Sequence, residues 1–248
     1  VYQYLVFHNI DKLSQSGITF FNGYASSANC APSRATMMSG KYHPSHGIYT
    51  VSPSARGLDI TRKIIPVKNT DNLDLEFFTI AEMLKNEGYI NAHVGKWHLG
   101  EKGNYPMDQG FDVNIGGWES GGPKGGYFSP YSNPNLEDGP EGEYLTDRLT
   151  NEAINFIDNN KEERFFLHLA YYSVHTPIQS KREYSNYFKN KSSDENHNRP
   201  DYAGMIRSLD ENIGKVLAKI EELNLSEETL IIFTSDNGGL STLRRVAP

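Results

Sequence analysis

The chain of 248 residues carries 24 Lys and Arg against 31 Asp and Glu, a formal net charge of −7, with 37% hydrophobic and 12% aromatic residues. That length suffices for a single α/β domain with a sizeable core, and the aromatic content excludes a disordered or collagen-like chain. The acidic balance, without any dense basic run, argues against a nucleic-acid partner, and no apolar run approaches the ~20 residues of a membrane span.

In chain order, Asn9, Ile10, Leu13 and Gly17 predict a short capped helix, and the run 18–21 a strand. Pro32 suits the first turn of a helix and Gly40 its exit, which puts Cys30 at a helix N-terminus. Thr79 and Glu82 form a capping box for a helix through Ala81 and Leu84 to Gly88, and a strand follows over 89–94. Between Gly100 and Glu143 the pattern breaks into Gly and Pro, a long loop whose Trp118, Tyr127, Phe128 and Tyr131 either line a stacking wall for a sugar ring or pack as a surface excursion.

Leu145, Leu149, Ala153, Phe156 and Ile157 fall at helical spacing, ahead of a strand over 165–170. Tyr202, Met205, Leu209, Ile213, Val216, Ile220 and Leu223 mark the longest helix, ahead of an apolar strand over 230–233. Helix and strand alternate without a dividing linker, so the expected architecture is one α/β domain over 1–248 with a largely parallel central sheet flanked by helices.

Several runs carry candidate chemistry. Cys30, the single cysteine, reads either as a small buried hydrophobe or as a nucleophile beside an anion site, since a helix N-terminus favours negative charge and Arg34 lies one turn away. Lys96 and His98 follow a strand, and if the chain stays extended they share one face while Trp97 points into packing. His175 and the pair Asp236 and Asn237 each lie just past a predicted strand, at the edge where open α/β sheets bind ligands. Asp236 and Asn237 offer oxygen ligands suited to Ca²⁺ or Mg²⁺, although the Asp-Asn-Gly composition taken alone favours a turn.

Cys30-Ala31-Pro32-Ser33-Arg34, and Gly88-Tyr89 leading to Gly95-Lys96-Trp97-His98-Leu99-Gly100, closely resemble the two signatures of the type I sulfatases, within the alkaline-phosphatase-like superfamily. The segments beginning at Asn9, Ser173 and Ser235 resemble that family's flanking blocks, so the resemblance runs in order from about Asn9 to Gly239, closest to arylsulfatase and N-acetylgalactosamine-sulfatase-like enzymes. It implies that Cys30 is oxidised by a formylglycine-generating enzyme to formylglycine (3-oxoalanine), whose hydrate attacks sulfur with one hydroxyl and expels sulfate with the other. It further implies that Arg34 holds the diol, Lys96 binds sulfate oxygens, His98 takes a proton during elimination and His175 assists the leaving alcohol. Asp236, Asn237 and the converted Cys30 would ligate Ca²⁺, with Mg²⁺ as the alternative.

The implied activity is sulfuric-ester hydrolysis on a sulfated carbohydrate or an aryl sulfate, in the periplasm or outside the cell, or in lysosomes for a eukaryotic host. Two alternatives accompany it: a phosphonate monoester or phosphodiester hydrolase using the same motif, and a non-catalytic binder of sulfated glycans. The family's paired aspartates at the end of its first strand have no counterpart before Asn9, and downstream of Gly239 the only cations are Arg244 and Arg245 in place of the family's lysine. Both gaps fall at chain ends, so the expectation is a truncated catalytic domain with little or no turnover on its own.

Overall fold

A computed structural model describes residues 5, 7–192 and 198–239 of the chain. Helices α1 (His8–Ser16), α2 (Cys30–Ser39), α3 (His43–His46) and α4 (Ile80–Asn86) precede strand β1 (Ile90–Gly95), and strand β2 (Val113–Ile115) follows it. Then come α5 (Leu145–Asn159), strand β3 (Phe165–Ala170), α6 (Arg182–Lys189) and α7 (Pro200–Glu222). The three strands form one parallel sheet in the order β2-β1-β3, with Ala92 opposite both Val113 and Leu167. This is the α/β arrangement expected from the alternating pattern.

Local chemistry explains the helices. Thr79 accepts the Glu82 N–H while Glu82 accepts the Thr79 N–H, so the predicted capping box opens α4. Gly40, at φ +66°, closes α2 in the left-handed conformation that glycine adopts without strain, its N–H returning to the Thr36 carbonyl. In α5 the predicted face, Leu145, Leu149, Ala153, Phe156 and Ile157, is buried.

Central strand β1 is covered on both faces, as parallel sheets require. One layer packs Ala31, Ala35 and Met38 of α2 with Trp97, Leu99 and Phe111; the other packs Val94 with Leu145 and Leu149 of α5, Tyr127, Tyr172 and Met205 of α7. The polar side chains of β1 are bonded within the protein, except that Asn91 Oδ1 is buried without a partner among the described residues. Asn91 donates to the Ala81 and Gly110 carbonyls, at 2.7 and 3.0 Å. His93 lies opposite His168 in the sheet register, their Nδ1 atoms 3.0 Å apart, and His93 Nε2 meets the Gly95 carbonyl at 3.1 Å. A carbonyl only accepts, so His93 carries its proton on Nε2 and His168 donates from Nδ1.

The structure departs from four expectations. The runs 18–21 and 230–233 are not strands: Ile18, Phe20, Phe21, Leu230 and Ile232 are exposed, and neither run has a ladder partner among the described residues. A strand exists only through pairing, so β-propensity alone left both runs unpaired. The stretch 100–143 is not structureless, because it contributes β2 and a short turn of helix at Pro106–Gln109. Its Tyr127 and Tyr131 are core residues, so they cannot serve as a stacking wall. Among the described residues no helix is long and apolar enough to cross a membrane.

Candidate active site

Four separate parts of the chain supply the site. Cys30 is the first residue of α2, with Asn29 extended ahead of it as the N-cap. Lys96 and His98 lie just beyond β1, and His175 follows β3. The Cys30 thiol lies beside His175, His98 and Lys96 and interacts with all three. Burial opposes its ionisation, but the His175 and His98 hydrogen bonds and the Lys96 ammonium outweigh that cost and hold the thiol at about 5.

The imidazoles respond in opposite directions. The bond to Cys30 raises His175 above its ordinary value against the opposing effect of burial, whereas burial lowers His98 despite its own bond to Cys30. His175 Nδ1 donates to the Thr176 carbonyl at 2.8 Å, which leaves Nε2 for Cys30. One ring therefore favours the protonated form and its neighbour the neutral form, the division of labour that acid and base roles require.

Extended geometry was expected to carry Lys96 and His98 to one face. The strand instead ends at Gly95 and His98 turns at φ +60°, yet both side chains still meet Cys30 while Trp97 is fully buried on the other side. What fixes this turn is Arg34. Its Nε donates to the Trp97 carbonyl at 2.7 Å and one terminal nitrogen donates to the Lys96 carbonyl. Its other terminal nitrogen stands 3.8 Å from Asp236 Oδ2, the same distance at which Lys96 Nζ faces that oxygen. Arg34 is thus spent largely on bracing the turn that presents Lys96 and His98.

Asp236 and Asn237 lie beside these cations, although the segment before them is not a strand. Among the described residues the Asn237 Oδ1 atom is buried without a hydrogen-bond partner, and the Asp236 carboxylate faces the Arg34 and Lys96 cations. An orphaned amide oxygen next to a carboxylate fits part of the ligand set of a hard divalent cation. Among the described residues no group of three or more His, Cys, Asp or Glu side chains has the spacing of a metal centre, so these two oxygens do not complete one. Arg244 and Arg245 lie outside the described residues.

The Gly-rich stretch closes over the two histidines. The Trp118 carbonyl accepts the His98 N–H at 3.0 Å, Gly121 lies against the His98 ring, and a Cβ on Gly122 would stand 3.1 Å from His175 Cε1 and Nδ1. The Tyr127 oxygen accepts the His175 N–H at 3.1 Å, and its O–H points at the Tyr172 and His175 carbonyls, at 2.7 and 3.0 Å. Nothing in the sequence pattern marked Tyr127 as a support for His175, because that relationship spans 48 residues and is made to backbone atoms.

The sequence pattern of the family described as Sulfatase matches residues 1–243. The N-acetylgalactosamine-6-sulfatase of Mus musculus is 31% identical over 255 residues, which cover 93% of this chain and 45% of that protein. The arylsulfatase of Hemicentrotus pulcherrimus is 31% identical over 250 residues, covering 92% of this chain and 42% of that protein. The chain therefore spans less than half the length of these relatives. The crystal structure of Ps i-CgsB in complex with k-i-k-neocarrahexaose matches with a TM-score of 0.70 and 28% identity, over 89% of this chain and 51% of that one.

Proposed function

We propose that this chain, which belongs to the sulfatase family, carries the catalytic residues of a sulfuric-ester hydrolase acting on a sulfated carbohydrate or an aryl sulfate. The observation that carries this reading is the meeting of Cys30, Lys96, His98 and His175, from the start of a helix and the ends of two parallel strands, around one sulfur atom. The names of the relatives, an N-acetylgalactosamine-6-sulfatase and an arylsulfatase, support the substrate class.

Converted to formylglycine by a formylglycine-generating enzyme, Cys30 would supply a hydrated aldehyde with two hydroxyls, one to attack sulfur and the other to release sulfate by elimination. The Lys96 ammonium binds the sulfate oxygens in a buried setting, where its charge is strongly felt. His98, kept neutral by burial, accepts the proton that elimination sets free. His175, its Nδ1 proton committed to the Thr176 carbonyl, presents Nε2–H to the leaving alcohol. Asp236 and Asn237 would hold Ca²⁺, or Mg²⁺, whose charge polarises the sulfate. By family resemblance the protein works in the periplasm, outside the cell or in a lysosome.

The test is release of inorganic sulfate from an aryl sulfate and from sulfated N-acetylgalactosamine by the full-length matured protein. We expect turnover that Cys30→Ala abolishes. Turnover of an aryl phosphodiester or phosphonate monoester in preference to the sulfate ester would overturn the reading, as would tight binding of the sulfated sugar without sulfate release.

A further inference from the structure

We propose that Gly121 and Tyr127, both in the Gly-rich stretch, are positioning residues that fix the His98 and His175 rings on Cys30. This rests on the sulfatase reading above for the roles of the two histidines, but the positioning itself rests on contacts. His98 and His175 stand at the ends of different strands, and His98 occupies a left-handed turn. The His175 ring is restrained by its Nδ1 bond to the Thr176 carbonyl, but His98 Nδ1 is buried without a partner among the described residues, so each ring could otherwise take other side-chain rotamers.

The frame is built from two directions. From above, the backbone at Gly121 lies so close to the His98 ring that an added Cβ would overlap its Cε1, Nδ1 and Nε2 atoms. Gly121 is outside the left-handed region of φ, so glycine is required here for space and not for backbone conformation. From behind, the buried Tyr127 phenol ties the chain at His175: it accepts the His175 N–H at 3.1 Å and directs its proton to the Tyr172 and His175 carbonyls. The Tyr127 ring is itself held, stacked on Tyr144 at 5.7 Å between centroids, and the Tyr127 backbone N–H donates to Gln179 Oε1 at 2.8 Å.

An acid and a base held by the same stretch should lose their aim separately. Removing the Tyr127 hydroxyl leaves the His175 N–H on the Tyr172 carbonyl alone, at 2.9 Å, and takes the donor from the Tyr172 and His175 carbonyls, so the backbone that carries His175 loosens and the damage falls on protonation of the leaving alcohol. Adding a methyl at Gly121 turns the His98 ring instead, which slows release of sulfate whatever the leaving group. Neither change touches Lys96 or Arg34, so substrate binding is retained.

The experiment compares Tyr127→Phe, Gly121→Ala and, as a control, Tyr144→Phe in the full-length matured protein, using phenyl sulfate and para-nitrophenyl sulfate. Tyr144 donates to the Gln179 carbonyl at 2.8 Å and makes no bond to either histidine. Tyr127→Phe is expected to lower kcat about 10-fold to 100-fold on phenyl sulfate and less than about threefold on the nitrophenyl ester, with KM unchanged. Gly121→Ala should lower kcat by similar factors on both esters, and Tyr144→Phe should leave the ratio between them unchanged. Equal losses for Tyr127→Phe and Tyr144→Phe on the two esters would overturn the proposal. Crystal structures of the variants separate it from the sulfatase reading: rings turned away from Cys30 support positioning even if no sulfate ester is hydrolysed, and unmoved rings refute it even in an active sulfatase.

Discussion

Cys30, at the first turn of α2, and His175, beyond the end of β3, lie side by side and pull each other's proton affinities in opposite directions, lowering the thiol and raising the imidazole. In the unconverted protein this pair should make Cys30 a thiolate in mildly acidic solution. Alkylation by iodoacetamide is expected to follow a titration centred near pH 5, with the thiolate present above that pH and lost below it. His175→Ala removes the larger of the two histidine bonds, so the midpoint should move upward. A midpoint near the ~8.5 of a free cysteine in the parent protein would contradict the geometry.

Arg34 should matter for stability as much as for chemistry. Replacing it with lysine deletes a planar fork that donates to two backbone carbonyls while keeping the charge. We expect Arg34→Lys to cost about 2–4 kcal/mol, because buried acceptors lose their donors. Chemical denaturation of the full-length protein measures it, and an unchanged midpoint would show that the turn through Lys96 and Trp97 does not depend on Arg34.

The sulfatase reading puts Ca²⁺ on the oxygens of Asp236 and Asn237. If so, Ca²⁺ raises the Tm of the full-length protein in proportion to the logarithm of its excess over Kd, and Asp236→Ala and Asn237→Ala each reduce that rise. Chelation should lower sulfate release in the parent protein, with recovery on adding Ca²⁺ back. A Tm independent of Ca²⁺ in parent and variants alike would remove these residues from the metal site.

The paired histidines in the sheet predict acid sensitivity. Burial holds His93 well below its ordinary value and His168 at about 3, so both are neutral in the folded protein. Unfolded histidines titrate near 6.5, and as pH falls below that value the unfolded state takes up protons that the folded state refuses. Their contribution is therefore intact above about pH 6.5 and declines as pH drops toward 3, by at most ~1.4 kcal/mol per pH unit for each histidine. His168→Phe should flatten the dependence between pH 7 and pH 5 even if it lowers stability at pH 7. An unchanged slope would mean that the pair is not protected from protons.

Much of the site was legible because its residues lie in short contiguous runs. Cys30, Pro32, Arg34 and Gly40 mark a helix start and stop, and Lys96 and His98 both come to the Cys30 side while Trp97 packs into the core, although the backbone turns at His98. The capping box at Thr79 and the periodicities of α5 and α7 are local signals and led to the right elements. The failures are non-local. Ile18, Phe20, Leu230 and Ile232 have strand-forming side chains, but pairing depends on a partner that propensity does not encode. Tyr127 and Tyr131 resembled sugar-stacking aromatics because their Gly-rich surroundings suggested an open loop; their burial follows from packing against α5 and the sheet. The bracing of the Lys96 turn by Arg34 links positions 62 residues apart, and nothing in the spacing signalled it.

The claim on which the rest depends is that Cys30 is a nucleophile precursor. It is tested most directly by the mass of the tryptic peptide from Leu13 to Arg34, taken from protein co-expressed with a formylglycine-generating enzyme. The account predicts an aldehyde in place of the Cys30 thiol. An intact thiol, under conditions that convert a control sulfatase, would contradict it.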